Sequence, residues 1–195
     1  MESDIMLLAG ARKLNGEALI GVFDFYSPAL YKYVFRLCNN ALMADQIVGD
    51  VFAKLCEHLL AGGGPRANLR SYLYGITYHL LVDQVSHSHR TAPMEVVGLT
   101  YTNAYSIDLS SEDRSLYETV LRAIMNDLTD DQRHVIILRF IEGFSVKETA
   151  AIIGKKVGNV KVIQNRAIAG LRKALDYQVM ETQAISFMIR SLSPT

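Results

Sequence analysis

Apolar side chains recur along most of this chain at alternating steps of three and four, the spacing of one buried stripe on a helix. The clearest run spans 41–60. Ala44, Ile47, Val48, Val51, Phe52, Leu55 and Leu59 share one side there, and Asp45, Gln46, Gly49, Asp50, Lys54 and Glu57 share the other. Asn40 is a capping type at its start, and Gly62-Gly63-Gly64-Pro65 stops it. The same period predicts helices over 5–14 and 17–37. Pro28 should bend or restart the second, because proline has no N–H to donate and crowds the preceding turn. Asn68 is placed to cap a further helix running to about residue 87. Together these elements predict an N-terminal bundle over residues 1–90.

The period lapses from 91 to about 111, where Pro93, Gly98, Thr100, Thr102, Asn103 and Ser106 follow no spacing. Residues 91–113 are therefore expected to be a flexible linker, with Tyr101 and Tyr105 docking part of it. Periodicity then resumes. Thr129 with Gln132, and Ser145 with Glu148, have capping-box spacing and open helices to about residues 142 and 153. A helix over 115–126 precedes them, and one over 157–177 follows the break at Gly154. Residues 178–195 form a weakly amphipathic tail to which the pattern assigns no role. Alternating strand patterns are scarce, so the expected class is all-α: two small helical domains, 1–90 and 114–177, joined by a flexible linker.

Half of the 195 residues are hydrophobic, which suffices for packed cores. The aliphatic runs are far shorter than the roughly 20 residues a membrane helix needs. Glu2 and Asp4 open the chain where a secretory signal would be basic. A soluble cytoplasmic protein is expected. Cys38 and Cys56 are too few for a disulfide scaffold. Cys56-Glu57-His58 and His87-Ser88-His89 lack a second ligand pair, so neither metal nor cofactor is expected. The histidines are accompanied by no nucleophile elbow, phosphate-binding glycine loop or carboxylate pair, which argues against an enzyme.

The formal net charge is zero, but the total conceals a segregation. Between Gly143 and Lys173 stand Lys147, Lys155, Lys156, Lys161, Arg166, Arg172 and Lys173 against Glu148 alone. That basic footprint coincides with a helix, a glycine turn and a second helix, the pattern of a helix-turn-helix. On a helical wheel Val157, Val160, Gln164, Ala167, Leu171 and Ala174 share the side expected to pack on Val146, Thr149, Ala150 and Ile153. The opposite side gathers Asn159, Lys161, Val162, Asn165 and Arg166, small and basic near its N-terminal turns, as entry into a major groove requires.

These residues fall into a familiar order. Leu128 to Val135 and Leu138-Arg139-Phe140 are followed by Glu142-Gly143-Phe144-Ser145, Glu148-Thr149-Ala150 and Gly158-Asn159-Val160-Lys161. The series resembles the C-terminal promoter-binding domain of sigma-70 family initiation factors. Phe23 to Tyr33, Ala44 to Phe52, and Leu69 to Ile76 followed by Asp83 are similar to the family's other conserved domain. With no third domain between them, the extracytoplasmic-function (ECF, group IV) class is the one resembled.

The resemblance implies a bacterial transcription initiation factor whose partners are core RNA polymerase and promoter DNA, with an anti-sigma factor as regulator. It implies a polymerase-binding surface at Asp45, Gln46, Gly49, Asp50 and Lys54, and minus-ten DNA contacts from Arg70, Tyr72, Tyr74, Tyr78 and His79. Minus-thirty-five contacts are implied for Lys147, Lys156, Asn159, Lys161, Val162, Asn165 and Arg166. Gly49 and Gln46 depart from the family's glutamine and aspartate, and Tyr72 from its common tryptophan. The alternative left open is a helix-turn-helix regulator that does not act through core polymerase.

Overall fold

The computed structural model describes residues 2–88 and 111–175. The linker and tail expected from composition lie outside the described residues. The chain divides into two compact units. Among the described residues every regular element is helical.

The first unit holds α1 (Glu2–Arg12), α2 (Gly16–Cys38), α3 (Ala41–Leu60) and α4 (Leu69–Ser88). Asparagines punctuate it. Asn15 Oδ1 accepts from Ala18 N at 2.9 Å, Asn40 Oδ1 from Met43 N at 3.0 Å, and Asn68 Oδ1 from Ser71 N at 2.9 Å. Each satisfies one of the donors that the first turn of a helix leaves free. Asn39 ends α2 in the left-handed region, φ 48°. Where α1 meets α2 the approach is close: a Cβ on Gly10 would lie 2.5 Å from the Ala18 Cβ. The core forms where α2, α3 and α4 pack, from Val22, Leu30, Tyr33 and Val34, from Ala44, Ile47, Val51 and Leu55, and from Leu73, Tyr74 and Leu81. Thr77, also buried, donates its hydroxyl proton to Leu73 O at 2.8 Å.

Pro28 does not restart α2, which runs unbroken through it. The proline costs about 3 kcal/mol in a helix interior. Val22 and Tyr26 before it and Leu30, Tyr33 and Val34 after it are all buried. At about 1.5–3 kcal/mol for each buried large side chain, keeping both halves helical and packed in the core outweighs the lost hydrogen bond.

The second unit is built from α5 (Ser111–Asp127), α6 (Asp130–Ile136), α7 (Val146–Ile152) and α8 (Val157–Ala174). The first begins four residues earlier than the sequence pattern predicts. Gln132 Oε1 accepts from Thr129 N at 3.0 Å. Ser145 and Glu148 exchange bonds reciprocally, Ser145 N to Glu148 Oε2 at 2.8 Å and Glu148 N to Ser145 Oγ at 3.2 Å. Instead of continuing as a plain α-helix to residue 142, α6 widens into a π-helical turn, Ile137–Ile141. His134, Val135, Ile136, Ile137 and Leu138 are consecutive and all buried. No single face of a 3.6-residue helix accommodates five successive positions, and the wider turn shifts the register locally. Gly143 closes it at φ 74°, and Phe144 N donates back to Leu138 O at 2.9 Å.

Candidate nucleic-acid interface

The helix-turn-helix forms as the sequence pattern requires. Residues Thr149, Ala150, Ile152 and Ile153 bury the inner side of α7 and the turn after it. Gly154 takes the left-handed conformation, φ 64°, that reverses the chain there. Lys155 N donates to Ala150 O at 3.0 Å, and Lys155 Nζ reaches Asp131 Oδ2 at 2.9 Å. Lys156 is then the N-cap of α8.

Val160, Ala167 and Leu171 bury one side of α8. Lys147, Lys156, Asn159, Lys161, Val162, Asn165 and Arg166 are all exposed. The face expected to pack inward is narrower than the wheel suggests. Val157 is 42% exposed and Ala174 is also exposed, because each stands at an end of the helix beyond the neighbours that would cover it.

Gln164 does not act as an apolar filler. Its Oε1 accepts from Arg139 Nε at 3.0 Å, while the other arm of that guanidinium donates to the Phe144 carbonyl. Arg139 thus ties the π turn to both the loop before α7 and the middle of α8. Sequence reasoning placed it only within a motif. Its isolation as the one cation in the apolar run 135–141 was the available signal.

Beneath this surface His134 is 7% exposed. Burial lowers its pKa from 6.5 to about 4, although Asp130 and Asp131 pull the other way. The imidazole is therefore neutral at pH 7.

In the first unit, Asp45, Gln46, Gly49, Asp50 and Lys54 form an exposed face of α3, opposite the buried Ala44, Ile47, Val48, Val51, Leu55 and Leu59. Among the described residues, nothing beyond its chain neighbours and the local helix backbone lies within 4 Å of a Cβ built on Gly49, so packing among them does not require a glycine there.

The minus-ten set divides. His79 is exposed, and Arg70 and Tyr72 are half-buried. Tyr74 and Tyr78 must be corrected. Tyr74 has no accessible surface, with its ring 5.2 Å from that of Tyr33, and Tyr78 is 8% exposed. A ring enclosed in the core offers no face to an unpaired base, so these two tyrosines are structural. Tyr72 is the α4 tyrosine that retains access. Its hydroxyl stands 2.5 Å from His58 Nδ1, bridging α4 to α3. Sequence reasoning also missed two exposed aromatics on α2, Phe23 and Phe25, the former 4.8 Å from the Phe52 ring.

Among the described residues no three His, Cys, Asp or Glu side chains gather to hold a metal ion. No described helix is long and apolar enough to cross a membrane.

Comparison with known proteins agrees with this geometry. The family model described as "Sigma-70, region 4" matches residues 124–173. The chain is 32% identical over 164 residues to the ECF RNA polymerase sigma factor SigD of Mycobacterium tuberculosis, covering 80% of this chain and 76% of that one. It is 26% identical over 173 residues to the ECF RNA polymerase sigma factor BldN of Streptomyces coelicolor. That match covers 87% of this chain but spans 64% of the relative's length. Among solved structures it is similar to the sigma factor RpoE of Bartonella quintana, crystallised with the anti-sigma factor NepR. The TM-score is 0.62 at 26% identity, over 79% of this chain and 94% of that one.

Proposed function

The chain belongs to the ECF RNA polymerase sigma factors, and from that membership we propose how its two units divide the work of promoter-directed initiation. The protein binds core RNA polymerase and directs it to promoters. The exposed side of α3, with Asp45, Gln46, Gly49, Asp50 and Lys54, docks on the polymerase. Arg70, Tyr72 and His79 on α4 meet the minus-ten element, Tyr72 by stacking on a base once the strands part. Stacking on an aromatic ring contributes about 1–3 kcal/mol, comparable with the cost of unstacking a promoter base. The second unit lays α8 in the major groove of the minus-thirty-five element. There Lys147, Lys156 and Lys161 serve phosphates, and Asn159, Val162, Asn165 and Arg166 face base edges.

The observation that carries this reading is the arrangement of α8: one side buried against α5 and α6, the other exposing Asn159, Lys161, Val162, Asn165 and Arg166. The alignments span both units, which favours an initiation factor over a regulator built on the helix-turn-helix alone. The domain limits that fit are 1–90 and 114–177, with 91–113 joining them. The protein acts in the bacterial cytoplasm, as a non-catalytic factor. An anti-sigma factor, the class of protein bound to the similar RpoE, is the expected restraint.

Co-purification with core RNA polymerase tests the proposal, the wild type beside a variant carrying Asp45→Arg and Asp50→Arg. A stable holoenzyme from the wild type and none from the charge-reversed pair is the expected result. Failure of the wild type to bind at modest salt would overturn the reading.

A further inference from the structure

On a helix surface the neighbours of a residue are those three and four positions away. For Val162 these are Gly158, Asn159, Asn165 and Arg166, and all four are exposed. Val162 itself is 48% exposed. It is thus an apolar, β-branched side chain encircled by two amides, a guanidinium and a position with no side chain. Among the described residues, nothing beyond its chain neighbours and the local helix backbone lies within 4 Å of a Cβ built on Gly158, so the space on the N-terminal side of Val162 is open.

Valine can neither donate nor accept a hydrogen bond, so it cannot read the polar edges that its neighbours can. The major groove presents one apolar group among those polar edges, the 5-methyl of thymine. A base pair facing Val162 that carried no methyl would leave the isopropyl group against hydrogen-bonding atoms deprived of water, at a cost.

We propose that Val162 selects a thymine in the minus-thirty-five element by packing on its 5-methyl group, which makes it a specificity-determining residue of α8. The inference rests on the reading of α8 as the major-groove helix and adds the chemical identity of one base.

Removal of that methyl group alone tests it. Duplexes are first enriched from a random library on the full chain, both alone and assembled with core RNA polymerase. The enriched element is then resynthesised with each thymine replaced in turn by deoxyuridine. At one position the wild type should lose about three- to fivefold in affinity, the scale of one buried methyl group. Val162→Ser should bind the two duplexes equally. Because the position is exposed the variant should fold, and unchanged circular dichroism with an unchanged thermal unfolding midpoint would verify that. A wild type indifferent to deoxyuridine throughout the element would overturn the proposal while leaving DNA recognition standing. So would a Val162→Ser variant that keeps the full methyl preference. Enrichment of no sequence in either assembly would overturn the major-groove reading itself, and this inference with it.

Discussion

Acidification should destabilise the second unit through one histidine. His134 is buried, and burial lowers its pKa from 6.5 to about 4. The folded unit therefore binds fewer protons than the unfolded chain between those two values. By linkage, stability falls as pH drops through that window, at about 1.4 kcal/mol per pH unit for one proton. The contribution is fully present above pH 6.5 and levels out below about pH 4, a total loss of about 3 kcal/mol. That is a large fraction of the 5–15 kcal/mol typical of a domain. The assay is urea unfolding at pH values from 7.5 to 4.5, with the second unit read by brief proteolysis within residues 128–175. His134→Leu supplies the control. Replacement of the ring changes the baseline stability, but only the difference in pH slope between the proteins matters. Titration of groups remote from residue 134 is common to both. The wild type should lose stability more steeply than the variant below pH 6.5. Parallel curves would refute the argument that the imidazole is held neutral by burial.

Five substitutions test other links. Tyr74→Ala should cost about 3–5 kcal/mol by opening a core cavity, whereas Tyr72→Ala should cost only about 0.5–1.5 kcal/mol, the worth of its bond to His58. The latter should mainly reduce promoter opening, by about 5- to 150-fold if a 1–3 kcal/mol stack is lost; thermal unfolding reads the stabilities and permanganate reactivity of promoter thymines reads the opening. In a double-mutant cycle on urea unfolding, Arg139→Met and Gln164→Leu should couple by about 1.5–3 kcal/mol, the worth of a hydrogen bond to a charged group. Additivity would mean that Arg139 does not hold α8. Gly49→Ala should stabilise the first unit by about 0.5–1 kcal/mol, since the methyl meets no neighbour and glycine is a poor helix former; an unchanged or lowered Tm would contradict that.

The helices were legible wherever one face of the chain is apolar and the other polar. In α3 the period sorts most positions between Ala44 and Leu59, and of the apolar side it predicts only Phe52 is half-buried instead of buried. Asn40 and Asn68 were readable as caps because their short side chains bond two or three residues on. The orientation of α4 was not readable. Leu69, Tyr72, Leu73, Tyr74, Ile76, Tyr78, Leu80 and Leu81 surround it almost evenly, and tyrosine is both apolar ring and polar hydroxyl. Only the position of Tyr33 across the core decides that Tyr74 turns inward while Tyr72 meets His58. The π turn escaped for a related reason: five consecutive buried residues have no helical period, so their geometry depends on what packs around them. The exposed basic face of α8 was legible because charge and period coincide there. Arg139 was not, since its partners lie 5 and 25 positions away in sequence.

The charge distribution bears on why two units are needed. Four cations, Lys147, Lys156, Lys161 and Arg166, are the phosphate- or base-facing charges proposed for the second unit. Neutralising a phosphate with each of the three lysines gives a salt slope of about −2.7, hence a loss of about 40-fold between 50 and 200 mM salt. A surface so small holds duplex weakly by itself at cellular ionic strength. Tethering it to a first unit already docked on polymerase replaces a second-order encounter by an effective concentration in the millimolar range for a short linker. The same arithmetic sets release: once either contact is lost, the remaining one is too weak to persist. A zero net charge is then consistent with promoter binding, because a strongly basic chain would occupy DNA without polymerase, and the selectivity of the assembly would be lost to nonspecific sites.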